Sequence, residues 1–360
     1  MAEHYDYIIV GAGLYGAMFA HKAIREGKSC LVIDRRSHIG GYCYTENVHG
    51  IEVHKFGAHI FRTNSKKVWD FVNSIADFIP FVNAPIARVG EKIYNLPFNM
   101  NTFNELWGVT TPEEAREKIK ESAIPCEHPE NLEQFVLSAV GREIYEKFIK
   151  GYTEKQWGRK CSELPVSTMS RVPIRLTYNN SYYNELYQGI PAEGYTEFIN
   201  RLLRGADIRL GVNYLDDREA LRRLGDTVIF TGAIDSYFDY CFGRLDYQAV
   251  GFQDVYHANT DNFQGNAVVN YPDAGVPYTR SIEHRHFVPT DVPGTIVTYE
   301  FPLGSYLNGG DPSYPILNER NREMYARYRE LAEKEHGVIF GGRLGEYRYY
   351  AMNDIVEKFI

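Results

Sequence analysis

The chain lacks several features that would assign it quickly. Its five cysteines (Cys30, Cys43, Cys126, Cys161 and Cys241) are odd in number, scattered and without a CxxC pair. That pattern argues against a disulfide framework or a zinc site and for a reducing compartment; no metal is expected. There is no run of about 18 apolar residues, so no membrane span is expected. The opening MAEHYDYIIVGAG enters a strand without the basic region and apolar core of a secretory leader. Excess positive charge is missing too: the net charge is -8. No generic footprint for nucleic acid exists, and any anionic ligand must be held by a few placed arginines. Internal repeats and low-complexity tracts are also absent.

What is present is the balance of a folded, multi-domain protein. Of 360 residues, 44% are hydrophobic and 24% charged, which excludes global disorder. Tyrosine is abundant: 28 Tyr exceed 20 Phe. Aromatics with a polar tip suit a wet cleft that stacks on rings and hydrogen-bonds to them.

Tyr5 to Val10 reads as a short apolar strand, followed at once by Gly11, Gly13 and Gly16, and then by an amphipathic helix over Leu14 to Glu26 closed by Gly27. Ser29 to Ile33 is a second buried strand, ending at Asp34. A strand, a GxGxxG turn, a helix and an acid after the next strand form a dinucleotide fingerprint. The glycines allow the pyrophosphate to approach the helix N-terminus, and the carboxylate can accept from ribose hydroxyls. Further along, Val68 to Phe78 has helical spacing, while PFVNAPIARV and KIYNLPF are strand-like. Asn101 to Tyr152 is rich in Glu, Lys, Arg and Leu at helical spacing. Ser167 to Pro191 is dense in Tyr, Asn and Arg and looks like strands and loops lining a site. Gly194 to Arg204 reads as a helix, and Ile208 to Val212 and Asp226 to Thr231 as strands. Tyr247 to Glu300 alternates as an antiparallel sheet does. A charged helix over Asn318 to Gly337 precedes the strand Val338 to Arg343.

The class expected is α/β: a Rossmann-like, discontinuous FAD-binding domain (1–80, 194–235 and 338–360), a helical insertion domain (98–165) and an antiparallel β-sheet domain (81–97, 166–193 and 236–337), with the site in the cleft between them. The choice of FAD over NAD comes from Gly40-Gly41 just beyond the acid, a combination that resembles glutathione-reductase-type and amine-oxidase-type flavoproteins.

Six segments in order carry a more specific resemblance: GAHIF (57–61), GYTEKQWG (151–158), RVPIR (171–175), YQGIP (187–191), VNYPDAGVPYTRSIEHRHF (269–287) and GRLGEYRYY (342–350). Through them the chain resembles the bacterial UDP-galactopyranose mutases over essentially its whole length. The resemblance implies an isomerase that interconverts UDP-galactopyranose and UDP-galactofuranose with reduced FAD, through a flavin–sugar covalent adduct and without net redox change. It implies that Arg171 and Arg280 flank the diphosphate, and that Tyr182, Tyr314 and Tyr349 contact phosphates through their hydroxyls. Tyr152 would stack on uracil, Trp157 would lie beside the sugar and diphosphate on a mobile segment, and Asn270 would contact the uridine or phosphate side. His59 would approach the flavin's reactive edge and tune it, with Arg343 nearby favouring the anionic reduced form. Cofactor contacts are expected from Gly11, Gly13, Tyr15, Gly16, Asp34, Arg35, Gly40, Gly41, Tyr42, Val212, Arg343 and Met352. The family also implies a cytoplasmic homodimer in cell-surface polysaccharide biosynthesis, reduced by NAD(P)H or a reductase. GYTEKQWG to YQGIP is expected to be a closing loop.

Three positions depart from the family pattern. Arg62 replaces a usual histidine near the sugar, which opens acceptance of UDP-N-acetylgalactosamine; a deoxy sugar also stays open. Ala351 stands where the family usually has Asp, with Asp354 close in sequence. Tyr42 replaces the Asn expected after Gly40-Gly41. Two other readings share parts of the pattern. An FAD oxidoreductase of the amine-oxidase type shares the nucleotide fingerprint but calls for an apolar substrate tunnel, and a catalytically weakened nucleotide-sugar-binding flavoprotein would keep the site without the chemistry.

Overall fold

The structure is a computed structural model that describes residues 4–169 and 172–360. The chain forms two compact units, one of residues 1–81, 185–249 and 305–360 and the other of residues 82–184 and 250–304.

The first unit is built on a five-stranded parallel sheet in the order Asp207–Leu210, Cys30–Asp34, Tyr5–Val10, Gly225–Phe230, Val338–Phe340. Its inner strands each carry an apolar run (IIV, LVI and VIF) because a parallel sheet is covered on both faces; Ile8, Ile9, Leu31, Val32 and Ile33 are fully buried. Helix Leu14–Arg25 follows the first strand directly. The C-terminal helix Met352–Phe359 packs on it, with Phe359 edge-on to Tyr15 at 5.1 Å and to Phe19 at 6.1 Å. This is the Rossmann-like α/β architecture read from the fingerprint, and it is discontinuous in sequence.

Small accessory sheets complete the unit: the hairpin Thr45–Val48/Ile51–His54 and the three-stranded set Phe61–Thr63, Tyr187–Pro191, Phe78–Pro80. The helix expected over Val68 to Phe78 runs instead from Lys66 to Ile75. Ala76 is extended, and the Asn73 side chain accepts from Phe78 N–H, so Phe78 starts a strand.

The second unit combines an antiparallel-rich sheet with helices. Strands Tyr247–His257 and Thr295–Ser305 bridge the chain between the units and lie beside Arg280–Glu283, Val268–Asn270, Ile86–Val89 and Lys92–Asn95, in that order. Helices Met100–Trp107, Pro112–Ser122 and Leu132–Ile144 follow, then a wide turn over Tyr145–Lys150 and helix Gly151–Trp157. These helices do not stand as a separate unit. Ala87, Tyr94, Leu96 and Phe98 of the sheet hairpin and its exit share one core with Val136, Val140, Ile144, Tyr145 and Phe148. Phe148 lies edge-on to Tyr94 at 4.9 Å and 5.2 Å from Phe98. Each such buried aromatic contributes roughly 2–3 kcal/mol, and that contact joins helices to sheet.

Among the described residues, no helix is long and apolar enough to cross a membrane.

Candidate functional site

The glycine turn after the first strand leaves no room for side chains. Gly11 sits at φ +112°, and a Cβ there would lie 2.0 Å from Thr231 Oγ1, which itself donates to Val10 O. A Cβ on Gly16 would lie 2.0 Å from Gly11 O. The chain therefore turns tightly and presents the N-terminus of helix Leu14–Arg25 at the end of the strand. The second glycine pair is brought against the first: Gly40 N–H donates to Ala12 O at 2.9 Å, and a Cβ on Gly41 would come within 3.0 Å of Gly13 Cα. Bare backbone around a helix N-terminus suits a dinucleotide diphosphate.

Asp34 is buried and already engaged. Its carboxylate accepts from Ala12 N–H at 2.8 Å and from Arg36 N–H at 2.9 Å, so it shapes the glycine loop. A carboxylate offers about four lone-pair sites, so capacity for a ribose hydroxyl remains. Val212 N–H donates to Asp34 O at 3.0 Å and ties the neighbouring strand to the same corner. Arg35 and Arg36 both pair with Asp311, at 2.5 and 2.9 Å. Burial pushes the Asp311 carboxyl up, but the two guanidiniums outweigh it and hold it below the usual range. Tyr42, which replaces an expected Asn, lies under Arg36 at 5.3 Å and donates to Pro312 O at 2.7 Å. Tyr15 turns toward the C-terminal helix that Met352 opens, within reach of Glu346 and Lys358.

Three more predicted residues of this unit meet. Arg343 lies over Tyr314 at 4.7 Å and Tyr349 at 5.4 Å, with the two rings roughly stacked 5.9 Å apart. Its guanidinium also donates to Ser313 O and Tyr350 O, both at 3.2 Å. His59 Nδ1 bonds Gly57 O at 2.7 Å, and its backbone N–H donates to His54 Nδ1. Arg62 forms a short ion pair with Glu185, a residue the sequence reading did not single out. Asp354, the carboxylate close in sequence to Ala351, accepts from Ala351 N–H at 2.9 Å and so caps the start of the C-terminal helix.

The second unit gathers its own cluster. Three strands set Asn270, Arg280 and Glu300 side by side, Asn270 opposite Arg280 and Arg280 opposite Glu300. Arg280 Nε donates to Glu300 Oε2 at 2.7 Å, and Glu300 is only 6% exposed. Glu300 therefore orients the guanidinium; nothing in its local sequence marks it, because its partner lies on another strand. Asn270 Oδ1 is buried with no hydrogen-bond partner among the described residues, the state of an acceptor whose donor is a ligand or water. Beside this row sits Tyr152. Burial pushes its hydroxyl up to about 12, Arg280 pulls the other way, and Glu300 and Tyr182 add to the rise. Tyr182 is 39% exposed, and the backbone it stands on is held by Arg175, which donates to Tyr182 O at 3.1 Å. Trp157 ends its helix and packs partly against the core of this unit. Arg171, the expected partner of Arg280, lies outside the described residues.

GYTEKQW is a helix and YQGIP a strand; the described residues of 158–186 between them form short turns and irregular chain, the stretch expected to close over substrate. Glu154 accepts from Cys161 N–H, and Lys155 donates to the Tyr271–Tyr278 loop, so the helix is anchored at both faces.

Fold and clusters together define a Rossmann-type dinucleotide-binding protein carrying an antiparallel-sheet unit with an oriented arginine. A family model for NAD(P)-binding Rossmann-like domains matches residues 9–75, and the UDP-galactopyranose mutase family model matches residues 147–349. The chain is 36% identical to "Probable UDP-galactopyranose mutase" of Klebsiella pneumoniae, over 98% of this chain and 92% of that protein. It is 35% identical to dTDP-fucopyranose mutase of Escherichia coli, over 98% and 96% respectively. Among solved structures, reduced UDP-galactopyranose mutase shares the fold at a TM-score of 0.76 and 14% identity, covering 98% of this chain and 91% of that one. The chain belongs to the UDP-galactopyranose mutase family and is an isomerase.

Proposed function

We propose that the chain interconverts UDP-galactopyranose and UDP-galactofuranose with reduced FAD bound, without net redox change. The observation that carries this reading is the Asn270–Arg280–Glu300 row beside Tyr152: a guanidinium held by a buried carboxylate, an unpaired amide oxygen and a phenol ring, in a chain of the mutase family. A planar guanidinium contacts a diphosphate bidentately and stays charged while negative charge grows on the departing group. Tyr152 would stack on uracil and Trp157 would lie beside the sugar. Tyr182, Tyr314 and Tyr349 would donate to phosphate oxygens, and Arg171 would oppose Arg280.

FAD would lie along Gly11, Gly13 and Gly16, with Gly40 and Gly41 closing on it. Bound and reduced, it supplies the nucleophile that exchanges with the diphosphate at the anomeric carbon. Arg343, already among phenols and carbonyls, would add positive charge that favours the anionic reduced state, and His59 would present its ring from a bond to Gly57 O. The setting we propose is a cytoplasmic homodimer supplied with electrons by NAD(P)H or a reductase.

One observation favours a second reading: identity to the dTDP-fucopyranose mutase nearly equals that to the Klebsiella mutase. The deciding experiment incubates the protein with UDP-galactofuranose and with dTDP-fucofuranose, each with and without dithionite, and separates the nucleotide sugars by chromatography. Pyranose product in the reduced UDP tubes alone is the expected result. Faster turnover of the dTDP sugar moves the assignment to the second reading, and no product in any tube, with flavin bound and reducible, leaves a binding protein without mutase action.

Arg62 carries a further prediction. Its charge is met by Glu185, so Arg62→His changes both size and charge balance at that position. The ratio of kcat/KM for UDP-galactofuranose against its N-acetylgalactosamine counterpart is expected to change by about tenfold, the scale of a small steric change in a pocket. An unaltered ratio removes Arg62 from sugar selection.

A further inference from the structure

We propose that Lys155 is a positioning residue that locks the strand bearing Arg280 to the helix bearing Tyr152, by gripping the intervening loop from inside. The inference rests on the nucleotide-sugar reading above. Lys155 Nζ lies 2.7 Å from Tyr271 O and 2.9 Å from each of Asp273 O, Val276 O and Tyr278 O. An ammonium has three N–H bonds, so four acceptors at these distances share them, much as a ring of carbonyls surrounds a cation. All four bonds go to main-chain oxygen, so the group orders backbone rather than meeting substrate. The loop it fills is closed by Tyr271 N–H on Thr279 O at 2.8 Å. Immediately outside that closure stand Asn270 and Arg280, opposite one another in the sheet. Whatever fixes the loop fixes the spacing of both.

A second contact acts independently on the same loop. Gly151 lies one helical turn before Lys155, and a Cβ there would come within 2.3 Å of Pro272 O and 3.2 Å of Ala274 N. One face of helix Gly151–Trp157 is thus a seat for the loop, with bare backbone at one end and an ammonium at the other, and Tyr152 belongs to the same turn. Burial pulls the ammonium down toward about 8, against the pull of Asp273. The four bonds come from a charged donor and are stronger than those of a neutral one. Lysine suits this place and arginine does not, because a compact charge with rotating donors can serve a ring of carbonyls and a planar fork cannot.

The test uses the flavin-loaded full-length protein and two variants, Lys155→Met and Gly151→Ala. UDP is titrated by calorimetry, steady-state rates are taken with UDP-galactofuranose under dithionite, and thermal unfolding is recorded. Both variants are expected to bind UDP about tenfold more weakly or worse, because small misplacements of binding groups cost on this scale. KM should rise by more than kcat falls, with normal flavin content. A folded Lys155→Met protein with wild-type UDP affinity overturns the inference. Should Lys155→Met fail to fold, Gly151→Ala decides in the same way. Wild-type protein that binds no UDP refutes the nucleotide-sugar reading itself, an outcome separate from either variant's.

Discussion

Gly16→Ala protein is expected to purify with little or no flavin. The added methyl would sit 2.0 Å from Gly11 O, and that oxygen belongs to a turn that cannot retreat: a Cβ on Gly11 itself would strike Thr231, whose hydroxyl is bonded to Val10 O. Relief requires the helix N-terminus to move away from the sheet. The backbone N–H groups there are the ones a dinucleotide diphosphate needs close and aligned. Overpacking of this kind costs roughly 1–3 kcal/mol, which corresponds to about 5- to 150-fold in FAD affinity if it falls on the bound state. Flavin absorbance per protein, followed by FAD titration of the stripped variant, measures the effect. Full flavin content with wild-type affinity contradicts the placement of the dinucleotide on this loop.

Arg280→Ala is expected to lower kcat/KM by about 100- to 1,000-fold, the usual result of removing one preorganised group from the site of developing charge. It should also lower stability, because Glu300 is left as a buried carboxylate without its cation. Breaking a fully buried pair costs about 3–5 kcal/mol. A third of the Arg280 side chain is exposed, so about 2 kcal/mol is expected here. The two consequences separate in a double variant. Arg280→Ala/Glu300→Gln should recover most of the lost stability and none of the activity. Recovery of activity alongside stability would reduce Arg280 to a structural partner of Glu300. Arg280→Lys should keep part of the stability and lose most of the rate, since a single ammonium cannot be held at Nε and also present a fork.

Much of this protein is written in local sequence. Tyr5 to Val10, the three glycines and the apolar helix after them follow from short-range physics: an apolar strand buried on both faces, a turn without side chains and a helix with one covered stripe. The motifs GYTEKQWG, YQGIP and GRLGEYRYY carried the family, and Tyr152, Arg280 and Arg343 could be picked from them. Short, mixed strands were harder. Thr45–Val48, Ile51–His54 and Phe61–Thr63 are only three or four residues long, and their order depends on pairing rather than on alternation. GYTEKQW begins the region expected to close, and its helix is fastened by Lys155 to main chain more than a hundred residues away, a contact no local pattern shows.

The sequence by itself determined the dinucleotide domain, the α/β class, the family and most of the candidate residues, because these depend on turn chemistry, periodicity and motif. Only the tertiary structure decided which of those residues act together. Asp34 braces the glycine loop through Ala12; Glu300 holds Arg280 from the adjacent strand; Lys155 fills a loop more than a hundred residues away; Arg343 lies against Tyr314 and Tyr349. Each is a pairing across long sequence separation, set by sheet register and helix packing, and no window of neighbouring residues contains both partners.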